Sequence, residues 1–325
     1  MPTIAHQQTI RRADAVADAA ERAVHRWWRD LLAIIRAGPN LGLTRLHATA
    51  LAHFRRLRPL IRQEILNGFA DLYLWANRTA ARTLVRTIPV DRLADVARGR
   101  SLRESRLLER VPEFPGLLRF FLRPSGLGID RTMRVLSGPD FEELSDAEKR
   151  QLFQEILFPP PTEGTVQARL NRLIAPFLLE PRPDLVPPER LAAMLTQSYA
   201  QGKTQKDIAA DLLPHAEGVR ASARRVARTW GMHVAAESER DAHESIGELV
   251  IGYQIHATPG PFSRPWHQDR SGTVYYKNPG PGQKGFAQMP RPPLEAPDAS
   301  ERPLGAPALA WNCLCWLTPV LAAPE

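Results

Sequence analysis

The stretch Ser263–Tyr276, SRPWHQDRSGTVYY, and the stretch Trp311–Val320, WNCLCWLTPV, carry both cysteines of the chain and the tetrad Arg264-Pro265-Trp266-His267. Between them lies a Gly/Pro-rich insert, Asn278–Ala308, whose composition predicts an irregular loop. Just upstream, Leu249, Ile251, Tyr253 and Ile255 alternate with Val250, Gly252, Gln254 and His256. A period of two predicts a strand. Thr273–Tyr276 predicts a second short strand, and Trp311–Val320 a last extended piece. Helices followed by a small sheet with long connections make this C-terminal unit α+β.

Moving upstream, Pro188-Glu189 opens a helix through Gln201, stopped by Gly202. The next piece, Lys203–Pro214, predicts a short helix capped by Thr204. It has the look of the first half of a helix-turn-helix. The segment that follows, Glu217–Ser245, is too long and too continuous for a compact recognition helix. Within it, Glu237-Ser238-Glu239 has the spacing of the paired carboxylates of ADP-ribosyl transferases. Helical residues i and i+2 do not share a face, so the expectation is a solvated helix face. The sequence contains no Gly-rich phosphate loop, serine nucleophile elbow or HExxH. Pro279–Gly285, PGPGQKG, is too broken by proline to cradle a phosphate on a helix.

The N-terminal half reads as helices. Residues 10–37 bring Val16, Ala20, Val24, Trp27, Trp28, Leu31 and Ile35 to one face, and Gly38-Pro39 stops them. A second helix is expected over Thr44–Asn77, kinked or divided at Pro59. A short Gly-Pro turn between two long helices predicts an antiparallel pair, with its aromatics as core or partner-facing anchors. A third helical stretch spans Ala80–Ala97, interrupted near Pro89. Leu117–Leu122 leaves helix and strand open. Ser145, with Glu148 three residues on, caps a helix to Leu157 that Pro159–Pro161 ends. The resulting division is an Arg-rich, mainly helical region over 1–160, a Pro-rich linker over 161–186, and a helical plus β domain over 187–325.

The totals bound the reading. A chain of 325 residues is long enough for two domains. Its 30 prolines are about twice the usual share, which favours linkers and loops. No run of about 18 uncharged apolar residues exists, so no membrane partner is expected. The N-terminal residues carry charge where a signal peptide needs an apolar core. Cys313 and Cys315, one residue apart, make no disulfide framework, and a reducing cytoplasmic site of synthesis follows. Residues 1–100 hold 17 arginines against 8 acidic residues, +9 in a chain whose total is +8. The first lysine is Lys149. The simpler reading places these arginines on solvated helix faces. The functional reading is contact with nucleic acid or an acidic protein surface, with Arg55, Arg56, Arg58 and Arg62 as the contact residues.

His267, Cys313 and Cys315 could share a metal, with a fourth ligand from His256 or Asp269, and zinc suits thiolate and imidazole. The simpler alternative has His267 bonded to a loop carbonyl and a cysteine filling a small core pocket. Arg264, Trp266, His267 and Gly272 form a loop that fixes the fold or docks a partner. In it a guanidinium stacks on an indole or pairs with a carboxylate, and Gly272 supplies a positive φ. No residue is assigned a catalytic role.

The order of these residues resembles the C-terminal domain of phage head morphogenesis proteins of the Mu F-like type, the minor head (minor capsid) proteins. That pattern is close to T-R-x-x-H-x-x-x-x-G, then P-P, then N-C-R-C near a proline. Here it falls on Ser263, Arg264, His267, Gly272, Pro292-Pro293 and Asn312-Cys313-Leu314-Cys315, with Pro319 beyond. A helical lead-in matches at Ala227-Arg228-Thr229, where Trp230 replaces the usual Glu. The resemblance covers roughly residues 185–320. It implies an α+β domain of Mu F-like type in a non-enzymatic protein made in the host cytoplasm and resident in the capsid interior of a phage or prophage. It also implies a role in capsid assembly and in DNA packaging or ejection. The implied partners are the portal or other capsid proteins, and double-stranded DNA. Two alternatives stand beside it: a metal-dependent enzyme centred on His267, Cys313 and Cys315, and a general DNA-binding protein using the Arg-rich helices.

Overall fold

The apolar stripe at Val16, Ala20, Val24, Trp27, Trp28, Leu31 and Ile35 is buried along a single helix, α1 (Ile4–Ala37). In the computed structural model the described residues are 4–37, 43–99, 136, 138–179, 188–247, 249–258, 264–289 and 313–323. The side chains of residues 54–62 lie outside this description, and with them Arg55, Arg56, Arg58 and Arg62, as does Leu117–Leu122.

Two further long helices flank α1: α2 (Leu43–Thr87) and, much later in the chain, a 40-residue helix over Gln205–Glu244. Among the described residues the intervening helices are α3 (residues 90–99), α4 (Pro139–Glu143), α5 (Asp146–Leu157), α6 (Glu163–Leu179) and α7 (Pro188–Ala200), and the long late helix is numbered α8. Helix α1 runs antiparallel to α2: Trp27 stacks near His53, Arg26 pairs with Glu64, and Val16 lies against Gly68. It also runs antiparallel to α8, because Glu21, Asp18 and Asp14 meet Arg220, Arg224 and Arg228 in reverse order. At Gly231 an added Cβ would lie 3.2 Å from the Cβ of Ala13 and 3.4 Å from the Leu72 side chain. That glycine lets the three long helices approach closely.

Several expected boundaries move. Helix α1 begins at Ile4, not near residue 10. Helix α2 continues through Pro59 and past Asn77 to Thr87, and the break falls at Ile88-Pro89. Its last carbonyls are occupied by Arg150 of α5, which donates to Val85 O and Ile88 O. Thr204 caps α8 with a reciprocal Thr204–Asp207 box, as the sequence suggests, but the helix passes through Pro214 and does not end there. Pro214 is exposed, so the carbonyl it leaves unpaired faces water. Leu212, Ala216 and Val219, buried against α1, hold the helix on either side of it. No turn divides Lys203–Ser245, and the helix-turn-helix likeness ends with it. The expected linker 161–186 carries α6, whose Val166 and Leu170 are buried with α1, α2 and α8. A packed helix there, and α8 lying along α1 and α2, give the two expected regions a shared core. Ser145 caps α5 with the expected box to Glu148.

The C-terminal part adds β1 (Val250–His256), a one-turn helix α9 (Pro265–Gln268), β2 (Val274–Tyr276), β3 (Lys284–Gly285) and β4 (Trp316–Leu321). They form a mixed four-stranded sheet in the order β3-β2-β1-β4. Strands β2 and β4 flank β1 antiparallel, and β3 joins β2 in parallel. The sheet's inner face, with Val250, Tyr253, Ile255 and Tyr275, packs on the end of α8 and on α3 and α5. Arg92 of α3 donates to Ala322 O at 2.6 Å and fastens the end of β4. The expected loop 278–308 contains β3 and a 3-10 turn at Phe286–Gln288 in its described part. The architecture is α+β, mostly helical, with the small sheet at the C-terminal end.

Candidate metal centre

Strand β1 decides where the site forms. Its last residues face two neighbours, one on each side. On one side the turn after α9 is hooked onto it: Ile255 N donates to Thr273 O at 3.0 Å, Gly272 N to Ile255 O at 2.7 Å, and Ala257 N to Ser271 Oγ at 3.1 Å. Gly272 sits at φ +89, which a residue with a side chain rarely adopts. On the other side β4 runs antiparallel, so His256 faces Trp316 and the residues just before β4 reach Ala257 and Thr258. Two segments more than forty residues apart are thereby closed over the end of one strand.

Pro265 sets the first turn of α9, and Arg264, just before it, lies over the Trp266 ring at 5.5 Å. His267, in the same turn, directs Nδ1 at the two sulfurs: 2.9 Å to Cys315 Sγ and 3.4 Å to Cys313 Sγ. Where the simpler alternative had His267 bonded to a loop carbonyl, its Nδ1 meets the thiol pair. Cys313 and Cys315 are buried with Ala257 in a small cluster, and Cys315 N donates to Cys313 Sγ at 3.4 Å.

The thiols behave as a pair. Cys313 is drawn down to about 5, first by the hydrogen bond it accepts from the Cys315 thiol, against burial, and then by His267. Cys315 is pushed up because its proton is the shared one, with burial adding to the effect. One proton is thus shared between the two sulfurs, and an ion bound through both would displace it.

The fit to a metal can be checked by distance. The three ligand atoms lie within 4.8 Å of one another. A tetrahedral ion with ordinary Zn–S and Zn–N bonds would set them about 3.6–3.8 Å apart. The observed N–S separations of 2.9 and 3.4 Å fall short of the zinc value by about 0.7 and 0.2 Å. His267, Cys313 and Cys315 could therefore hold a metal ion. Thiolate and imidazole favour zinc and other soft or borderline ions over magnesium and calcium.

The two candidates for a fourth ligand do not join this group. His256 instead bonds Thr318 Oγ1 through Nε2 at 2.8 Å and stacks on Trp316, and Asp269 is exposed. Glu237-Ser238-Glu239 is also corrected. Ser238 is fully buried and donates to Tyr73 O at 2.6 Å, while Glu239 faces Thr9 of α1 at 3.5 Å. That turn of α8 faces its neighbouring helices and not only solvent.

Two residues of the site carry no sequence signal. Leu314 O, the carbonyl between the cysteines, accepts from Thr258 Oγ1 at 2.9 Å and from His6 Nε2 at 3.0 Å. His6 lies 308 residues from Leu314, and nothing in its surroundings in the chain marks it out. A carbonyl can only accept, so His6 carries its proton on Nε2. Burial holds its imidazole down to about 4, which keeps it neutral.

A His-Cys-Cys group with both thiols buried and the histidine half-buried, at the edge of a small sheet carried by a three-helix frame, is what fold and site define. Comparison with family models, with curated proteins and with solved structures finds no match. Among the described residues no helix is long and apolar enough to cross a membrane.

Proposed function

We propose that the chain is a minor head protein of a phage or prophage, made in the host cytoplasm and carried in the capsid interior. It acts without turnover of a substrate, and its C-terminal unit, a sheet domain of Mu F-like type, docks on the portal or another capsid protein. Zinc is the cofactor of that unit, held by His267, Cys313 and Cys315. The observation behind this is the convergence of the resemblance's two separated pieces: the Arg264–Gly272 turn and the Cys313–Cys315 pair meet through a 2.9 Å contact between residues 48 apart. A pattern of that kind is expected where the residues form one unit.

Double-stranded DNA is the second partner. Support comes from Arg78, Arg82 and Arg86, exposed on successive turns of α2 in the repeat RTAARTLVRT (residues 78–87). Guanidinium groups in this arrangement suit phosphate.

The test is co-expression with the portal protein of the same phage genome, followed by size-exclusion chromatography and mass spectrometry of DNA-filled particles. The expected result is co-elution and a few copies per particle. A chain that elutes alone and is missing from particles would remove the assignment.

A further inference from the structure

The geometry points to a zinc-dependent lock that holds the first helix on the last strand through the Leu314 carbonyl. The lock rests on zinc being held by His267, Cys313 and Cys315.

Leu314 lies between the two thiol ligands, in a segment that precedes β4 and has no regular backbone of its own. Its carbonyl accepts from His6 of α1 and from Thr258 at the end of β1. The next aromatic along the chain, Trp316, stacks on His6 with ring centroids 4.1 Å apart and on His256 at 5.1 Å. Three parts of the chain, its first helix, its central strand and its last strand, thus meet on one peptide and one indole.

Sequence distance makes the junction costly to form. Bringing residue 6 to residue 314 closes almost the whole chain, and the contact itself is one hydrogen bond and one ring stack. A two-residue spacing between ligands changes this. When Cys313 and Cys315 share an ion, the peptide between them loses its freedom to rotate, and its carbonyl is fixed toward α1. His6 then meets an acceptor already in position. Thr258, donating to the same oxygen from the end of β1, holds the carbonyl between β1 and α1.

The coupling is reciprocal: whatever the ion adds to the docking of α1, His6 adds to the hold on the ion. His6 is here a positioning residue, acting on the ligands through the Leu314 peptide. Groups of this kind, bonded to the ligands' own support, typically change metal affinity by 10–100-fold when lost.

The full-length protein is purified, its zinc is counted by native mass spectrometry, and hydrogen–deuterium exchange is followed with and without a chelator. A His6→Phe variant, which keeps a ring against Trp316 but removes the N–H donor, is measured for zinc affinity by competition with a chromophoric chelator. One zinc per chain is expected. Chelation should speed exchange across residues 5–16 roughly tenfold relative to α7 and the start of α8, and His6→Phe should weaken zinc binding by roughly tenfold.

If zinc is bound but exchange in residues 5–16 ignores it and His6→Phe binds zinc within twofold of the parent, the lock is wrong and the zinc site stands. A chain that holds no zinc overturns both. Should chelation unfold the whole protein, the His6→Phe affinity decides alone: weakened supports the lock, unchanged overturns it.

Discussion

His243 is buried near the end of α8, its ring 5.6 Å from that of Tyr253. Burial holds its imidazole down to about 4, from an ordinary value of 6.5. The folded state therefore resists a proton that the unfolded chain takes up. The stability this contributes is whole above pH 6.5 and is lost as pH falls toward 4. Between pH 7.5 and 5 the loss is about 2 kcal/mol. Urea unfolding at those two pH values should show the parent losing about that much more than a His243→Leu variant. Equal losses in the two proteins would show that His243 is not the group responsible. A second residue-scale test lies in the sheet. A Cβ added at Gly252 would fall 2.7 Å from the backbone oxygen of Tyr275, and backbone cannot step aside as a flexible side chain can. Gly252→Ala should cost roughly 1–3 kcal/mol in the same urea measurement, as overpacked sites do. A cost under about 0.5 kcal/mol, the scale of an ordinary surface change, would mean that β1 and β2 are spaced differently there.

Helices were legible where their apolar stripes ran long, and their ends were not. Proline was read as a kink or division at Pro59 and as a helix end at Pro214, yet α2 and α8 run through both. The reason is one of magnitude. A proline inside a helix costs about 3 kcal/mol relative to alanine. Each fully buried Leu or Val returns about 1.5–3 kcal/mol, and Leu212 and Val219 lie on either side of Pro214. A local rule loses to packing that the local sequence does not display. It follows that Pro214→Ala, at an exposed site, should stabilise the protein by about 1–3 kcal/mol. Thermal unfolding would register this as a raised midpoint, and a lowered midpoint would show that α8 needs its proline. The pairing of α1 with α8 was equally hidden. Its Arg-acid ladder spans two hundred residues, and each exposed pair contributes only about 0–1 kcal/mol, so the pairs set register more than stability. At the candidate site, the histidine and the thiol pair stood out as residue types that can share a metal, and β1, hooked to the turn before β2 on one side and to β4 on the other, brings them together. His6 could not, since only the finished bundle delivers it to Leu314.

Over the whole molecule, charge and pairing are displaced from one another. The first 100 residues carry 17 arginines and 8 acidic groups. Three of those acids, Asp14, Asp18 and Glu21, are engaged by Arg220, Arg224 and Arg228, which come from the later part of the chain. The excess positive charge of the N-terminal region is thus left less compensated in space than the residue counts suggest. Arg78, Arg82 and Arg86 show where part of it emerges: all three are exposed, each one turn further along α2, about 6 Å apart in rise. A strand of phosphates running beside that helix would meet a guanidinium at every turn. If DNA is a partner through this face, its affinity should fall steeply with salt, because each neutralised phosphate releases counterions. Replacing all three arginines with glutamine should lower the slope of log affinity against log salt by about 2.7 on duplex DNA. Being exposed and on the surface of an intact helix, they should leave the thermal midpoint almost unchanged. Fluorescence anisotropy with a labelled duplex, at several salt concentrations between 50 and 200 mM, measures the slope directly. An unaltered slope in the triple variant would clear this face of phosphate contact and move any DNA binding to another part of the surface. A slope near zero in the parent would remove DNA from the list of partners.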